Sequence, residues 1–138
     1  MLAKPKGILQ AGAIPIRNAK ICLITSRSGK RWVIPKGCLE PGKTVGEIAL
    51  QEAWEEAGLR GILHPHPIGS YLYQKCGATY HVTVFIMEVT AMAEDWPECT
   101  LRERRWVQTD QALAHVEDPG LHAILRAALG QLAPAEHH

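Results

Sequence analysis

No stretch of this 138-residue chain is a long uncharged apolar run; a membrane-spanning helix needs about 18 such residues. The opening "MLAKPKGILQAG" has basic residues but neither the apolar core nor the small-residue cleavage pattern of a secretory signal. A cytoplasmic protein with no membrane partner is therefore expected. The four cysteines (Cys22, Cys38, Cys76, Cys99) are scattered and form no C-x-x-C, which argues against a zinc site or a disulfide framework. Repeats, low-complexity tracts and Pro/Ser linkers are also missing, so the chain reads as one domain over residues 1–135. The terminal "AEHH" leaves 136–138 as the stub of an expression tag.

Net charge is only +1, and with no recognition motif a nucleic-acid partner ranks low. That small sum hides a division. Residues 1–43 hold nine Lys or Arg against the single acid Glu40, whereas residues 44–56 hold four acids and no base. A basic segment beside an acidic one suits a polyanion gripped partly by side chains and partly through cations, and equally suits ordinary solvated edges.

Strands are expected at "GILQAGAIPI" and "KICLIT", joined by a turn around Arg17-Asn18, and at "RWVIP", "SYLYQK", "YHVTVFIMEV" and "RRWV". Residues 38–43 read as a loop. A helix follows from about Thr44 to Ala57, with Gly58 as its stop, and Thr44 with Glu47 makes a capping box. Along it Leu50, Ala53, Trp54 and Ala57 form an apolar stripe. A short helix near 110–115 precedes a longer one capped by Asp118, with Leu121, Ile124, Leu125 and Ala128 on one face. Strands with few helices give an α+β class, a mixed sheet flanked by helices.

Glu52, Glu55 and Glu56 crowd three carboxylates into five positions. At helical spacing they share an arc of about 100°. Like charges at i,i+4 repel, and desolvating them costs far more. Either they face open water or cations neutralise them. The preceding "IPKGCLEPGKT", with Gly37, Pro41 and Gly42, lets backbone approach the acids. A carbonyl near Gly37 could then join them, giving an all-oxygen set suited to Mg²⁺ or Mn²⁺.

This segment resembles the signature of the Nudix hydrolases, G-x5-E-x7-R-E-U-x-E-E-x-G-U with U bulky and apolar. Gly37, Glu52, Ala53, Glu55, Glu56, Gly58 and Leu59 fall in place, while Lys43 stands where the pattern has Glu and Gln51 where it has Arg. With both charges changed, the departure reads as a coordinated replacement. The resemblance implies an α/β/α sandwich and a Mg²⁺- or Mn²⁺-dependent hydrolase of phosphoanhydrides. It assigns Gly37, Glu52, Glu55 and Glu56 to metal, with Glu55 the preferred water-activating base and Glu52 beside it. Glu88, Glu94 and Asp95 are alternatives for the base.

"RWVIPKG", "EDW" and "RERRW" are similar to segments of hydrolases acting on diadenosine polyphosphates and diphosphoinositol polyphosphates. Arg17, Arg31, Lys36, His81, Arg102 and Arg104 are the expected polyphosphate contacts. The resembling enzymes carry a basic cluster on the first strand, where this chain has "ILQ" (8–10), and a basic residue before the long strand, where it has His81; these losses weaken the case for an inositol ring. Trp32, Tyr73, Tyr80 and Trp106 could stack on an adenine, which places dinucleoside polyphosphates narrowly first. The alternative is a sensor that binds nucleotide or polyphosphate with weakened catalysis. Monomer and homodimer remain open.

Overall fold

The computed structural model describes residues 7–132; the tag reading of 136–138 lies outside them. Strand β1 (Ile8–Arg17) is the backbone of the fold. It pairs in parallel with β7 (Ala78–Met92) along most of its length, from Ile8 opposite Tyr80 to Ile16 opposite Glu88. Its other edge is shared by β4 (Lys36–Cys38) near the start and β2 (Lys20–Thr25) near the end, both antiparallel. β2 also pairs with β3 (Trp32–Val33) and β8 (Arg104–Gln108). The far edge of β7 takes β6 (Gly69–Lys75) on its first half and β5 (Leu59–Leu63) on its second.

The residues of β1 explain how both faces are covered. Ile14 joins one core with Val82, Val84 and Ile86 of β7 and with Leu121, Ile124, Leu125 and Ala128 of helix α3 (Pro119–Leu132). Ala11 and Ala13 join the other with Ala49, Ala53 and Ala57 of helix α1 (Val45–Ala57). Small side chains on both partners let α1 sit close to the strand, which brings its polar edge near β4. The result is the α/β/α sandwich with a mixed sheet. A short 3-10 turn, Thr109–Gln111, and α2 (Ala112–His115) lead into α3, whose first turn is capped by Asp118 Oδ2 accepting from Leu121 N at 2.9 Å.

α1 starts and stops where its sequence says. The Thr44 hydroxyl accepts from Glu47 N at 3.1 Å and the Glu47 carboxylate accepts from Thr44 N at 2.8 Å. Gly58 at φ 66 takes the left-handed conformation that ends it. Replacing Thr44 with Ala is expected to lower unfolding stability by about 1 kcal/mol, read from the midpoint of a urea titration at unchanged slope.

Three details differ from the sequence expectations. The strands β4 and β5 were not anticipated, because they arise from pairing with β1 and β7 rather than from their own short patterns. The turn after β1 centres on Asn18 and Ala19, both at positive φ (53 and 61), the two-residue geometry that matches strand twist. The buried stripe of α1 is Ile48, Ala49, Ala53 and Ala57, joined by Glu56, whereas Leu50 is exposed and Trp54 lies under the Arg60 guanidinium at 4.0 Å. The stripe turns towards Glu56 because that carboxylate has a partner inside.

Among the described residues no helix is long and apolar enough to cross a membrane.

Candidate active site

β4 lies beside the last two turns of α1, held there by the pairing of Ala11 with Gly37. A Cβ at Gly37 would overlap the Glu52 carboxyl group. The close approach to Glu52, and not the backbone conformation, is what favours glycine here, since its φ is outside the left-handed region. One residue earlier, Lys36 N donates to Glu56 Oε1 at 3.1 Å. The other Glu56 oxygen meets the Arg102 guanidinium at 3.3 Å, and both side chains are less than a tenth exposed. Arg102 also donates to Glu98 Oε1 at 2.8 Å and to the Thr25 carbonyl at 3.0 Å.

The segment that brings Glu98 and Arg102 is strapped to the end of α1. Ala93 N donates to Gly58 O at 2.9 Å, Trp96 Nε1 to Glu56 O at 3.0 Å and Glu98 N to Glu55 O at 3.0 Å. Arg104 Nη1 donates to Ala57 O at 2.8 Å while its guanidinium lies 4.2 Å from the Trp96 ring centre. A cation there suits the negative end of a helix that has no basic residue in its own last turn. Arg104 therefore closes α1, and the structure does not bring it to the expected polyphosphate contacts.

The three carboxylates are held in three different ways. Glu56 is buried against Arg102, Glu52 is packed on the Gly37 backbone, and Glu55 is half-buried. Burial, then the neighbouring charges of Glu56 and Glu55, push the Glu52 carboxyl up to about 8. Burial also raises Glu56, opposed by Arg102 and by the Lys36 N–H and charge. The same burial lowers the Lys36 ammonium from its ordinary value.

A carboxyl whose folded pKa exceeds its unfolded value binds more protons in the folded state. Its contribution is therefore complete below the unfolded value of 4.5 and is lost as pH rises towards about 8. Without divalent cation, the melting temperature is expected to fall across that window, and the fall is expected to shrink in Glu52→Gln. Differential scanning fluorimetry at stepped pH in chelator checks it; a parallel fall in both proteins would count against Glu52.

Lys43 and Gln51, the two departures from the signature, touch each other. The Lys43 ammonium donates to Gln51 Oε1 and lies 3.8 Å from Glu40. Gln51 Nε2 in turn donates to Glu40 Oε2 at 2.7 Å and to Glu52 Oε2 at 3.4 Å. The exchanged residues still tie loop to helix and steer Glu52.

Among the described residues no three His, Cys, Asp or Glu side chains form a ready metal cage. The donor set nevertheless fits a hard cation that keeps part of its water: carboxylates on consecutive helical turns, with the Gly37 backbone pressed against one of them.

Next to Glu56 opens a hollow of about 160 Å³ whose wall includes Arg27, Arg31, Lys36, Lys75 and Arg102. Arg31, Lys36 and Arg102 were expected there. Arg27 and Lys75 were missed; they come from a turn and a strand end, positions that give no sequence signal, and Gln10 of β1 borders the hollow beside them. Arg17 is elsewhere, at the opposite end of β1 with Asn18, Lys20 and Trp106. His81 is paired with Leu9 and Leu72, on the face of β7 opposite Tyr80, and is not brought to the hollow.

Glu88 pairs with His64 at 2.8 Å. It sits opposite Ile16, whereas Gly37 sits opposite Ala11, a separation of roughly 16 Å at the usual strand rise. Glu94 and Asp95 are exposed on the segment after β7.

The aromatic residues proposed as stacking shelves are engaged. Tyr73 stacks on Tyr80 with ring centres 4.8 Å apart, bonds Gln10 through its hydroxyl at 2.8 Å, and has the Lys36 ammonium 5.0 Å from its ring centre. Trp32 lies under Arg105 at 4.8 Å, and Trp106 donates to the Met92 sulfur at 3.1 Å.

Comparison with known proteins gives the family. The family model for the NUDIX domain matches residues 8–128. Nudix hydrolase 12, mitochondrial, of Arabidopsis thaliana is 35% identical over 106 residues, covering 71% of this chain and 52% of that protein. Diphosphoinositol polyphosphate phosphohydrolase 3-alpha of Homo sapiens is 31% identical over 100 residues, covering 70% of this chain and 60% of that protein. The chain thus spans about half to three-fifths of the length of these relatives. The crystal structure of the C. elegans Ap4A hydrolase superimposes with a TM-score of 0.75 at 19% identity, over 92% of this chain and 99% of that one, a likeness of fold. With the signature residues of α1 and β4 in place and the family model matched across nearly all described residues, this chain belongs to the Nudix hydrolase family.

Proposed function

We propose that the protein cleaves a phosphoanhydride bond in a polyphosphorylated metabolite. The observation that carries this is the meeting of two opposed charge arrays: the Glu52–Glu55–Glu56 edge of α1 against Gly37, and beside it a hollow with five cationic side chains. Phosphates satisfy the hollow directly and the carboxylates through a shared cation.

Glu52, Glu55, Glu56 and the Gly37 carbonyl would hold Mg²⁺ or Mn²⁺. A divalent ion so bound supplies an acidified water and neutralises charge on the leaving phosphate. Glu55, half-buried and without a guanidinium partner among the described residues, takes the proton from the attacking water, with Glu52 beside it. Arg31, Lys36, Arg27 and Lys75 orient the phosphates, the arginines by forked contacts.

The lining of the hollow supports one substrate class over another. Its cations favour a phosphate-dense end, and Tyr73 on the same wall is already stacked on Tyr80, which weakens the stacking argument for adenine. A diphosphoinositol polyphosphate therefore moves ahead of a dinucleoside polyphosphate, in line with the name of the human relative. A sensor remains the second reading, favoured by Glu56 already being neutralised by Arg102.

The test is a panel containing a diphosphoinositol polyphosphate, diadenosine tetra- to hexaphosphates, ADP-ribose, nucleoside triphosphates and 5′-triphosphate RNA, with Mg²⁺ or Mn²⁺ and products resolved chromatographically. Orthophosphate release is expected to be fastest from the diphosphoinositol substrate. Tight binding by calorimetry without consumption of any member would favour the sensor instead.

A further inference from the structure

Both Glu56 oxygens are engaged by the protein itself, one by Lys36 N and the other by the Arg102 guanidinium. A guanidinium keeps its charge at all working pH values, so this pairing cannot be relieved by titrating the arginine. It can be relieved only if Arg102 changes partner. A second partner is already in hand: Arg102 Nε donates to Glu98 Oε1 at 2.8 Å, and Glu98 is fixed to α1 through Glu55 O. The same guanidinium forms part of the wall of the cationic hollow. It therefore stands between one carboxylate of the candidate cation site, a carboxylate outside that site, and the space for phosphate.

We propose that Arg102 is the resident counter-ion of Glu56, exchanged for the divalent cation when the site loads. The displaced guanidinium stays anchored on Glu98 and turns to the phosphates in the hollow. The inference rests on reading the α1 carboxylates as a cation site. A guanidinium and a divalent ion at the same carboxylate repel each other, so they compete for it. Arg102 is in this respect a positioning residue whose effect on cation binding is opposite to that of a scaffold.

Two variants separate the roles by sign. In Arg102→Gln the competitor is gone, and Mn²⁺ binding is expected to tighten by about tenfold. In Glu98→Gln the guanidinium loses its outside partner and closes on Glu56, so Mn²⁺ binding is expected to weaken. A residue that merely holds the loop would weaken binding in both. The measurement is free Mn²⁺ by electron paramagnetic resonance during titration of the full chain at fixed pH, without substrate, with circular dichroism as the check on folding.

Tighter binding in Arg102→Gln together with weaker binding in Glu98→Gln supports the exchange. Unchanged or weaker binding in a folded Arg102→Gln overturns it. If Arg102→Gln does not fold, Arg102→Met, which fills the buried space without a charge, is read in its place by the same rule, and unchanged or tighter binding in Glu98→Gln overturns the exchange in either case. Wild type and Glu52→Gln are titrated alongside. If the wild type binds no Mn²⁺, or Glu52→Gln binds it equally well, the cation site itself is wrong and the exchange falls with it.

Discussion

Gly37→Ala is expected to reduce turnover by roughly 100-fold or more, the scale reached when a metal site's supporting geometry is lost, while leaving the protein folded. The added methyl would occupy the position of the Glu52 carboxyl group. Gly37 does not sit in the left-handed region, so alanine fits the backbone and the conflict is wholly with a side chain. A glutamate carboxyl is the free end of a flexible chain, and it yields by rotating away. Stability should therefore change by no more than about 1 kcal/mol, whereas Glu52 can no longer stand where β4 and α1 meet. Steady-state kinetics beside a thermal melt reads both halves. A variant as active as the wild type would mean that the contact between β4 and Glu52 has no part in the chemistry.

Glu56→Gln is the second large effect, and here the structure changes what the sequence alone implies. The substitution removes a carboxylate from the candidate cation site and one of the charged partners of a buried arginine. Turnover is expected to fall by at least roughly 100-fold. The fold survives, because Arg102 keeps Glu98 and the Thr25 carbonyl, and glutamine still offers an oxygen to Lys36 N. The stability loss is about 1–3 kcal/mol, less than that of a buried charge left with no partner.

Some parts of this molecule can be read directly from its residues. α1 carries its own start and stop in Thr44, Glu47 and Gly58, and α3 carries its apolar face in Leu121, Ile124, Leu125 and Ala128. These signals are local, and local structure follows them. The spacing of Gly37 and the three glutamates is local as well, and it was enough to indicate the family.

What was not legible depends on contacts far apart in the chain. Arg17 and Gln10 lie on the same strand, yet only Gln10 borders the hollow. β4, which arrives only after β2 and β3, pairs with Gln10, Ala11 and Gly12 and so marks the end of β1 that borders the hollow. Arg102 and Arg104 are two positions apart in a run of basic residues. One points to a buried carboxylate and the other to a helix end, and nothing in "RERRW" distinguishes them. Lys43 and Gln51 could be suspected of compensating each other, but their hydrogen bond is a fact of the folded loop. The exposure of Leu50 has the same origin: the helix is rotated so that Glu56, an acid that periodicity assigns to the polar side, goes inward to meet Arg102.

The crowding of three carboxylates is thus tolerated unequally. Glu56 is neutralised from within by Arg102, and Glu52 keeps a proton to unusually high pH. We infer that a divalent cation is what the arrangement receives. The most direct test is the rate of phosphoanhydride cleavage as a function of Mg²⁺ concentration, for the wild type beside Glu56→Gln, on the best substrate of the panel. A rate that saturates with Mg²⁺ in the wild type, vanishes in chelator and is lost in the variant is the predicted result. Turnover that is indifferent to Mg²⁺, or that survives in Glu56→Gln, would contradict it.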